Sequence, residues 1–161
     1  MKHAGTYLFF LLCMHLPFKI FAQDPCRTGN ILQQADSIKQ YYTKEGFTVL
    51  REASVSMDSE DELPILIPLK QGEPYEIVFI GDNRSNICEV KMYDYKEQQV
   101  AYQRKKDGEQ DPHIIQYQYK PQASEYHMIK PVQVNQQQKK NLCGYIIFLR
   151  KTGPSLTRAI L

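Results

Sequence analysis

The chain has 161 residues, with 20 lysines and arginines against 18 acidic residues. Its first 22 residues hold two of the lysines and no acidic residue, so residues 23–161 carry 18 charges of each sign. This balance excludes the basic excess expected of a nucleic-acid-binding protein, and the length suits one domain with its own core.

Residues 1–22 have the features of a secretory signal peptide. Lys2 supplies the positive start, residues 7–16 form an apolar core, and Ala22 is a small residue at the cleavage site. The apolar run is too short to span a bilayer, which takes about 20 residues. We therefore expect a secreted or periplasmic mature chain that begins at Gln23 and has no transmembrane segment after cleavage.

Residues 23–46 form the predicted N-terminal helix region. Asn30 can cap the start of a helix, and Gly46 can end it in the left-handed conformation. The apolar residues that fall on one face at helical spacing are Ile31, Ala35, Ile38 and Tyr42. Packing of this face on a sheet is favoured over its use as a partner-binding face.

Residues 47–151 form the predicted β-sandwich domain, and residues 152–161 a frayed tail. Alternating or wholly apolar runs predict about eight strands, separated by turns rich in Gly, Pro and Asn. The predicted strands cover 47–57, 63–69, 75–80, 87–95, a run around 100–102, 113–120, 126–134 and 142–149. One helix and eight regularly spaced strands predict an all-β fold, an antiparallel two-sheet sandwich of jelly-roll type.

Three local features predict where strands lie within a sheet. Arg51 interrupts an apolar face, which predicts a bulge or a strand edge. Pro64 and Pro68 cannot donate ladder hydrogen bonds, so their strand is predicted at a sheet edge. Residues 142–149 are nearly all apolar, which is typical of a central strand.

The short turns also predict which strands pair. Residues 63–95 have the pattern of a meander, and 113–120 with 126–134 the pattern of a hairpin. A further hairpin is predicted after Asp94, and its register remains open. Val100 lies opposite Tyr93 if the loop has two residues and opposite Asp94 if it has three. The tyrosines that share a face there are therefore undetermined.

Several short motifs resemble the bacterial pre-peptidase C-terminal domains and their secreted β-sandwich relatives. The motifs lie at 69–77 (Leu-Lys-Gln-Gly-Glu-Pro-Tyr-Glu-Ile), 90–94, 119–121 and 124–128. The resemblance covers residues 63–149 and implies a small jelly roll accessory to exported enzymes. The chain departs from the family pattern at Ser85-Asn86, where acidic residues are usual, and at Glu125, where glycine is usual. The first departure argues against a metal role for that loop.

No pattern in the sequence predicts a catalytic, cofactor or metal site. The acidic run at 58–62 lacks the spacing of a calcium loop and is typical of a solvated turn. His113 and His127, if placed on paired strands, fall out of register and cannot share an ion. Cys143 lies among apolar residues, as expected of a buried and inert thiol. We therefore predict that the protein is not an enzyme.

Recurring tyrosines provide the one candidate ligand face. Tyr93, Tyr95, Tyr117 and Tyr119 are typical of the aromatic platforms of sugar-binding jelly rolls, although core packing explains them as well and tryptophan is absent. The leading interpretation is an exported, non-catalytic binding or accessory module. The alternative is a carbohydrate-binding module that uses exposed tyrosines. The expected partner is an unidentified protein or glycan.

Three cysteines remain after signal cleavage: Cys26, Cys88 and Cys143. Strand alternation places Cys88 and Cys143 inward, on strands of opposite sheets whose starts face the same end. We therefore predict a disulfide between Cys88 and Cys143, with Cys26 free. A Cys26–Cys143 bond is the rival, and two buried free thiols are the third possibility.

Overall fold

The computed structural model describes residues 26, 29–137 and 140–154. The predicted signal peptide and the tail from residue 155 lie outside these residues. The helix α1 spans Gly29–Lys44. The strands are β1 (Phe47–Met57), β2 (Ile65–Leu69), β3 (Tyr75–Ile80), β4 (Ile87–Tyr93), β5 (Gln99–Lys106), β6 (Ile114–Tyr119), β7 (Glu125–Val134) and β8 (Leu142–Lys151).

The eight strands form two antiparallel sheets of four. The first sheet has the order β1-β8-β3-β6 and the second the order β2-β7-β4-β5. In each sheet a strand from the beginning of the chain lies beside one from its end, β1 with β8 and β2 with β7, which is the strand order of a jelly roll. The predicted fold class, a two-sheet sandwich with one N-terminal helix, is confirmed.

Three of the predicted strand pairings are wrong, two in the meander and one in the hairpin at 113–134. Strands β2, β3 and β4 alternate between the sheets and do not form a meander, and β6 pairs with β3 while β7 pairs with β2 and β4. The predicted hairpin at 113–134 is therefore a crossing between sheets. A short loop can join two strands that pair in one sheet or two strands that lie in different sheets. The turn residues therefore predicted where strands end but not which strands pair. Strands β4 and β5 do form a hairpin.

The local predictions for strand position are confirmed. The register of β1 on β8 shifts between Val49 and Arg51, which is the predicted bulge. Strand β2 lies at a sheet edge, and β8 lies between β1 and β3. The Arg51 guanidinium donates a hydrogen bond of 3.0 Å to the Leu66 carbonyl oxygen, so it links the edge strands of the two sheets.

The interior core lies between the sheets. Its largest fully buried members include Ile77, Phe79, Met92, Ile129 and Phe148. Burial of each such side chain contributes about 1.5–3 kcal/mol relative to exposure. Packing is close enough to require glycine at 144, where a Cβ atom would lie 2.8 Å from the Phe79 ring.

A second core lies outside the first sheet, beneath α1. The buried helix residues are Ile31, Ala35 and Tyr42, and they pack with outward side chains of the first sheet. Gly46 follows the helix at φ +79°, as predicted, and a Cβ atom there would clash with the Gly153 carbonyl oxygen. The helix therefore covers the outer face of the first sheet.

The disulfide joins Cys26 to Cys143, with their Cα atoms 4.9 Å apart, and the predicted Cys88–Cys143 bond is wrong. The error comes from β8, which is apolar on both faces. Cys143 faces α1 together with Tyr145, while Cys88 is a buried free thiol facing the interior from the second sheet. Alternation in an all-apolar strand does not reveal which set of side chains points inward.

Candidate functional site

The outer face of the second sheet differs from the outer face of the first sheet, on which α1 packs. Met92 and Ile129 point into the interior core, so their alternate neighbours point outward. We call this surface the open face. It is defined by the outward side chains Leu66, Glu89, Lys91, Tyr93, Tyr102, Arg104, Lys106, Tyr126, Met128 and Lys130, together with Glu62, whose carboxylate lies against two of the lysines.

A row of apolar and aromatic side chains crosses the open face. Leu66 lies opposite Met128, which lies opposite Tyr93 on the next strand. Tyr126 follows on β7 and Tyr102 lies on β5 beside Lys91. The exposed fractions are 57% for Leu66, 62% for Tyr126 and 44% for Tyr102. Single exposed apolar side chains are ordinary on a protein surface, but several of them grouped together can mark an interaction site.

Charged groups hold the middle of the open face in place. The Glu62 carboxylate accepts hydrogen bonds from Lys91 Nζ at 2.7 Å and Lys130 Nζ at 2.8 Å. The hydrogen bond from Lys130 contributes most, and that from Lys91 next, to holding the pKa of Glu62 below its ordinary value. Lys130 Nζ also lies 5.2 Å from the centre of the Tyr93 ring, within cation–π range.

The β4–β5 hairpin carries a further exposed tyrosine beside this face. The Asp94 carboxylate accepts hydrogen bonds from the backbone N–H groups of Lys96 at 2.9 Å and Gln98 at 2.8 Å, which orders the turn. Tyr95 is 64% exposed at its tip. The loop therefore presents an aromatic ring on a hydrogen-bonded backbone.

The structure separates the four tyrosines of the predicted ligand face. Tyr93 lies on the open face and Tyr95 at the adjoining hairpin tip. Tyr117 and Tyr119 lie on β6 of the other sheet and pack partly buried against the interior core. The Tyr117 hydroxyl lies 3.6 Å from the Met92 sulfur, and burial raises the pKa of Tyr117.

Sequence reasoning missed Leu66, Tyr102, Tyr126 and Met128. The hairpin register decides where Tyr102 lies: Tyr93 pairs with Gln99, and Val100 falls at the shift between two pairs, so neither open register was correct. The alternation of side chains along a strand was the signal that could have found them. On β7, the residues that alternate with inward Ile129 include Met128, and Tyr126 lies on the same outward side.

The residues weighed for chemistry have structural roles. Cys143 is in the disulfide and has no thiol to offer as a nucleophile. His127 is 1% exposed, its Nε2 lies 3.0 Å from the Tyr119 hydroxyl, and burial lowers its pKa. Among residues 26, 29–137 and 140–154, no group of three His, Cys, Asp or Glu side chains could hold a metal ion.

A cavity of about 290 Å³ lies beside the start of α1, with Asn30, Asp82, Arg84 and His113 among its lining residues. The Asp82 carboxylate accepts hydrogen bonds from Arg84 Nε at 2.7 Å and the Cys143 backbone N–H at 3.0 Å. Burial acts to raise the pKa of Asp82, but these donors outweigh it and hold the pKa below its ordinary value. The principal charges here satisfy one another, so the cavity is a weaker candidate than the open face.

Comparisons with known proteins show similarity at the level of fold. No protein-family model matches the chain and no curated protein matches its sequence, so the resemblance to pre-peptidase C-terminal domains reduces to a shared β-sandwich. No helix in the described part of the chain is long and apolar enough to cross a membrane.

Solved structures with a similar fold include a periplasmic inhibitor of g-type lysozyme from Aeromonas hydrophila, which matches over 62% of this chain and 84% of its own, at 12% identity and a TM-score of 0.46. A CBM4 structure matches over 69% of this chain and 81% of its own, at 16% identity and a TM-score of 0.41. A carbohydrate-binding module of Cellvibrio mixtus lichenase 5A, solved with cellotriose, matches over 66% of this chain and 91% of its own, at 9% identity and a TM-score of 0.39. With TM-scores this low, none carries an argument about function.

Proposed function

We propose that the protein is an exported, non-catalytic binding or accessory module whose recognition surface is the open face. One observation carries this proposal. The outer face of the first sheet is covered by the chain's own helix, whereas the open face carries the row Leu66, Met128 and Tyr93 across β2, β7 and β4. Exposed Tyr126 on β7 and Tyr102 on β5 flank this row. Contiguous exposed apolar side chains on a folded domain mark a surface that another molecule covers.

Export is supported by two independent features. Residues 1–22 have the pattern of a secretory signal, and Cys26 is joined to Cys143. Disulfides form and persist in oxidising compartments and are rare in the cytosol. Together the two features support a secreted or periplasmic location.

The absence of catalysis is supported by the state of the groups that catalysis would use. Cys143 is oxidised, the Asp82 carboxylate is neutralised by Arg84, and His127 is enclosed with Tyr119. A general base or a nucleophile must instead reach a substrate within hydrogen-bond distance.

The test compares Tyr126→Ser and Tyr102→Ser with Tyr41→Ser. Tyr41 is 60% exposed on α1, away from the open face, and so is a matched control. Immobilised mature protein is exposed to culture medium and periplasmic extract of the producing cell and to a glycan array. We expect a ligand that is retained by the wild type and by Tyr41→Ser, and that is lost about tenfold or more in the open-face variants.

Two outcomes would contradict the proposal. One is equal retention of every ligand by the open-face variants and the control. The other is a reproducible hydrolase activity that disappears when a single polar residue is replaced. Circular dichroism of each variant separates loss of binding from loss of folding.

The second candidate is a carbohydrate-binding module that uses the exposed tyrosines. It is favoured by the phenol rings of Tyr102 and Tyr126, which offer apolar surfaces with a polar edge. Binding of a defined glycan that is abolished by Tyr102→Ala and kept by Tyr41→Ala would select this function.

A further inference from the structure

We infer that the partner of the open face is a protein whose contact surface is acidic around an apolar patch. This inference rests on the proposed function and specifies its partner. It is carried by three properties of the open face: its aliphatic content, its local charge and its pre-ordered side chains.

The aliphatic content favours a protein over a glycan. Leu66 and Met128 lie directly opposite each other and adjoin Tyr93, so aliphatic side chains form part of the centre. A sugar stacks on aromatic rings and needs polar groups beside them to pair with its hydroxyls. Protein–protein interfaces are instead enriched in Tyr and Met, which matches Tyr93 and Met128 at this centre.

The charge of the open face favours an acidic partner. Its cations are Lys91, Arg104, Lys106 and Lys130, and its carboxylates are Glu62 and Glu89. Glu62 is shared between two lysines, so it does not neutralise both. Residues 23–161 are neutral as a whole, so the basic excess is a local property of this surface. A second copy of the chain would place one basic face against another, whereas an acidic protein surface is complementary.

The side chains at the centre are already ordered. Glu62 fixes both lysines with hydrogen bonds below 3 Å, and Lys130 in turn lies over the Tyr93 ring. Groups that are held before binding lose less conformational entropy when the partner arrives. Tyr126 and Tyr102 flank this ordered centre as exposed anchors of the type that dominate interface energetics.

The decisive experiment is photo-crosslinking of the full chain in its producing cell. The photoreactive residue p-benzoylphenylalanine replaces Tyr102 or Tyr126 in the test proteins and Tyr41 in the control. We expect one dominant protein adduct from both open-face positions and none of that mass from position 41. Mass spectrometry of the adduct should place the linked residue on an acidic surface of the partner.

The second arm measures the electrostatic contribution with the purified partner. Lys106 is exposed at the rim of the open face, and Lys44 is an exposed lysine on the helix side. Lys106→Glu is expected to lower the affinity several-fold and to weaken its dependence on salt, because a rim charge acts mainly by steering association. Lys44→Glu is expected to leave the affinity unchanged.

The outcomes separate this inference from the proposed function. Adducts between two copies of the chain, or an unaltered affinity in Lys106→Glu, would overturn the acidic protein partner while the binding module stands. Glycan-array binding that is lost in Tyr126→Ser, without any protein adduct, would do the same. If open-face variants bind every ligand as the wild type does, both proposals fail.

Discussion

The outer faces of the two sheets differ in what lies on them and in what they contribute. On the first sheet, α1 covers an apolar face, and a disulfide links residue 26, just before the helix, to β8. On the second sheet, the outer face carries exposed tyrosines beside lysines that are ion-paired with Glu62. The comparison teaches that one outer face stabilises the fold, while the other carries the exposed side chains that we propose for recognition.

A buried carboxylate marks the covered side, and an exposed one marks the open side. Glu76 on β3 is 2% exposed beneath α1 and accepts a 2.6 Å hydrogen bond from the Tyr42 hydroxyl. Glu62 on the open side is instead shared by Lys91 and Lys130. The first carboxylate sits in an apolar layer with the Tyr42 hydroxyl and the Gln118 side chain as donors, and the second lies partly exposed between two lysines. Their contributions to the free energy of unfolding should therefore change with pH in opposite directions.

Removal of the disulfide is expected to break the covered side most severely. Replacing both Cys26 and Cys143 by alanine should lower the free energy of unfolding by roughly 2–5 kcal/mol, because the bond restricts a long loop in the unfolded chain. Chemical denaturation with and without a reductant measures this change. Cys88→Ala is the control, because Cys88 is a free thiol. This variant keeps the Cys26–Cys143 bond, so the reductant should still lower its free energy of unfolding. Peptide mapping that found Cys88 in a crosslink would contradict the assignment.

Loss of one hydroxyl beneath the helix is expected to have the next largest effect. Tyr42→Phe removes the donor to Glu76 and leaves a buried carboxylate without it, which should cost about 1–3 kcal/mol. The neighbouring Tyr41 is 60% exposed, so Tyr41→Phe should change stability by less than about 0.5 kcal/mol. Thermal or urea unfolding of the two variants gives the comparison. Equal effects would show that the Tyr42–Glu76 bond does not hold the helix.

The pH dependence of stability is expected to sharpen the comparison. Burial raises the pKa of Glu76, opposed in part by hydrogen bonds from Tyr42 and Gln118. Its contribution to stability is therefore fully present below the unfolded pKa and is lost as the pH rises through the folded value. Hydrogen bonds from Lys130 and Lys91 lower the pKa of Glu62, so its contribution is present above the unfolded pKa and is lost as the pH falls through the folded value.

Glu76→Gln should therefore be more stable than the wild type at pH 7, with a gain that shrinks toward pH 4. Glu62→Gln should be less stable at pH 7, with a loss that shrinks at acid pH. Urea unfolding of both variants from pH 3 to pH 7 measures the two trends. A gain for Glu76→Gln that is the same at both ends of the range would contradict the raised pKa of that carboxyl group.

Substitutions on the open face are expected to have the smallest effect on stability. Leu66→Ser and Tyr102→Ser remove side chains that are about half exposed and should change the free energy of unfolding by about 0.5 kcal/mol or less. Denaturation of these variants is measured beside the binding assays. A loss above about 1 kcal/mol in either variant would mean that this face supports the fold, and it would weaken its assignment to recognition.

The sequence by itself determined the class of the fold and the position of its elements. Local signals were sufficient for the helix, for Gly46 at its end, for the bulge at Arg51 and for the proline-containing edge strand β2. Each of these depends on residues close together in the chain, whose backbone preferences act before any tertiary contact exists.

Only the tertiary structure decided the strand pairing, the disulfide and the composition of the candidate surface. Strand β8 is apolar on both faces because it lies between the interior and α1, so alternation could not place Cys143. The open face likewise depends on strands β2, β7, β4 and β5, which are neighbours in the sheet but not all neighbours in the sequence. Long-range pairing is fixed by how whole faces pack together, and a local pattern contains no record of that choice.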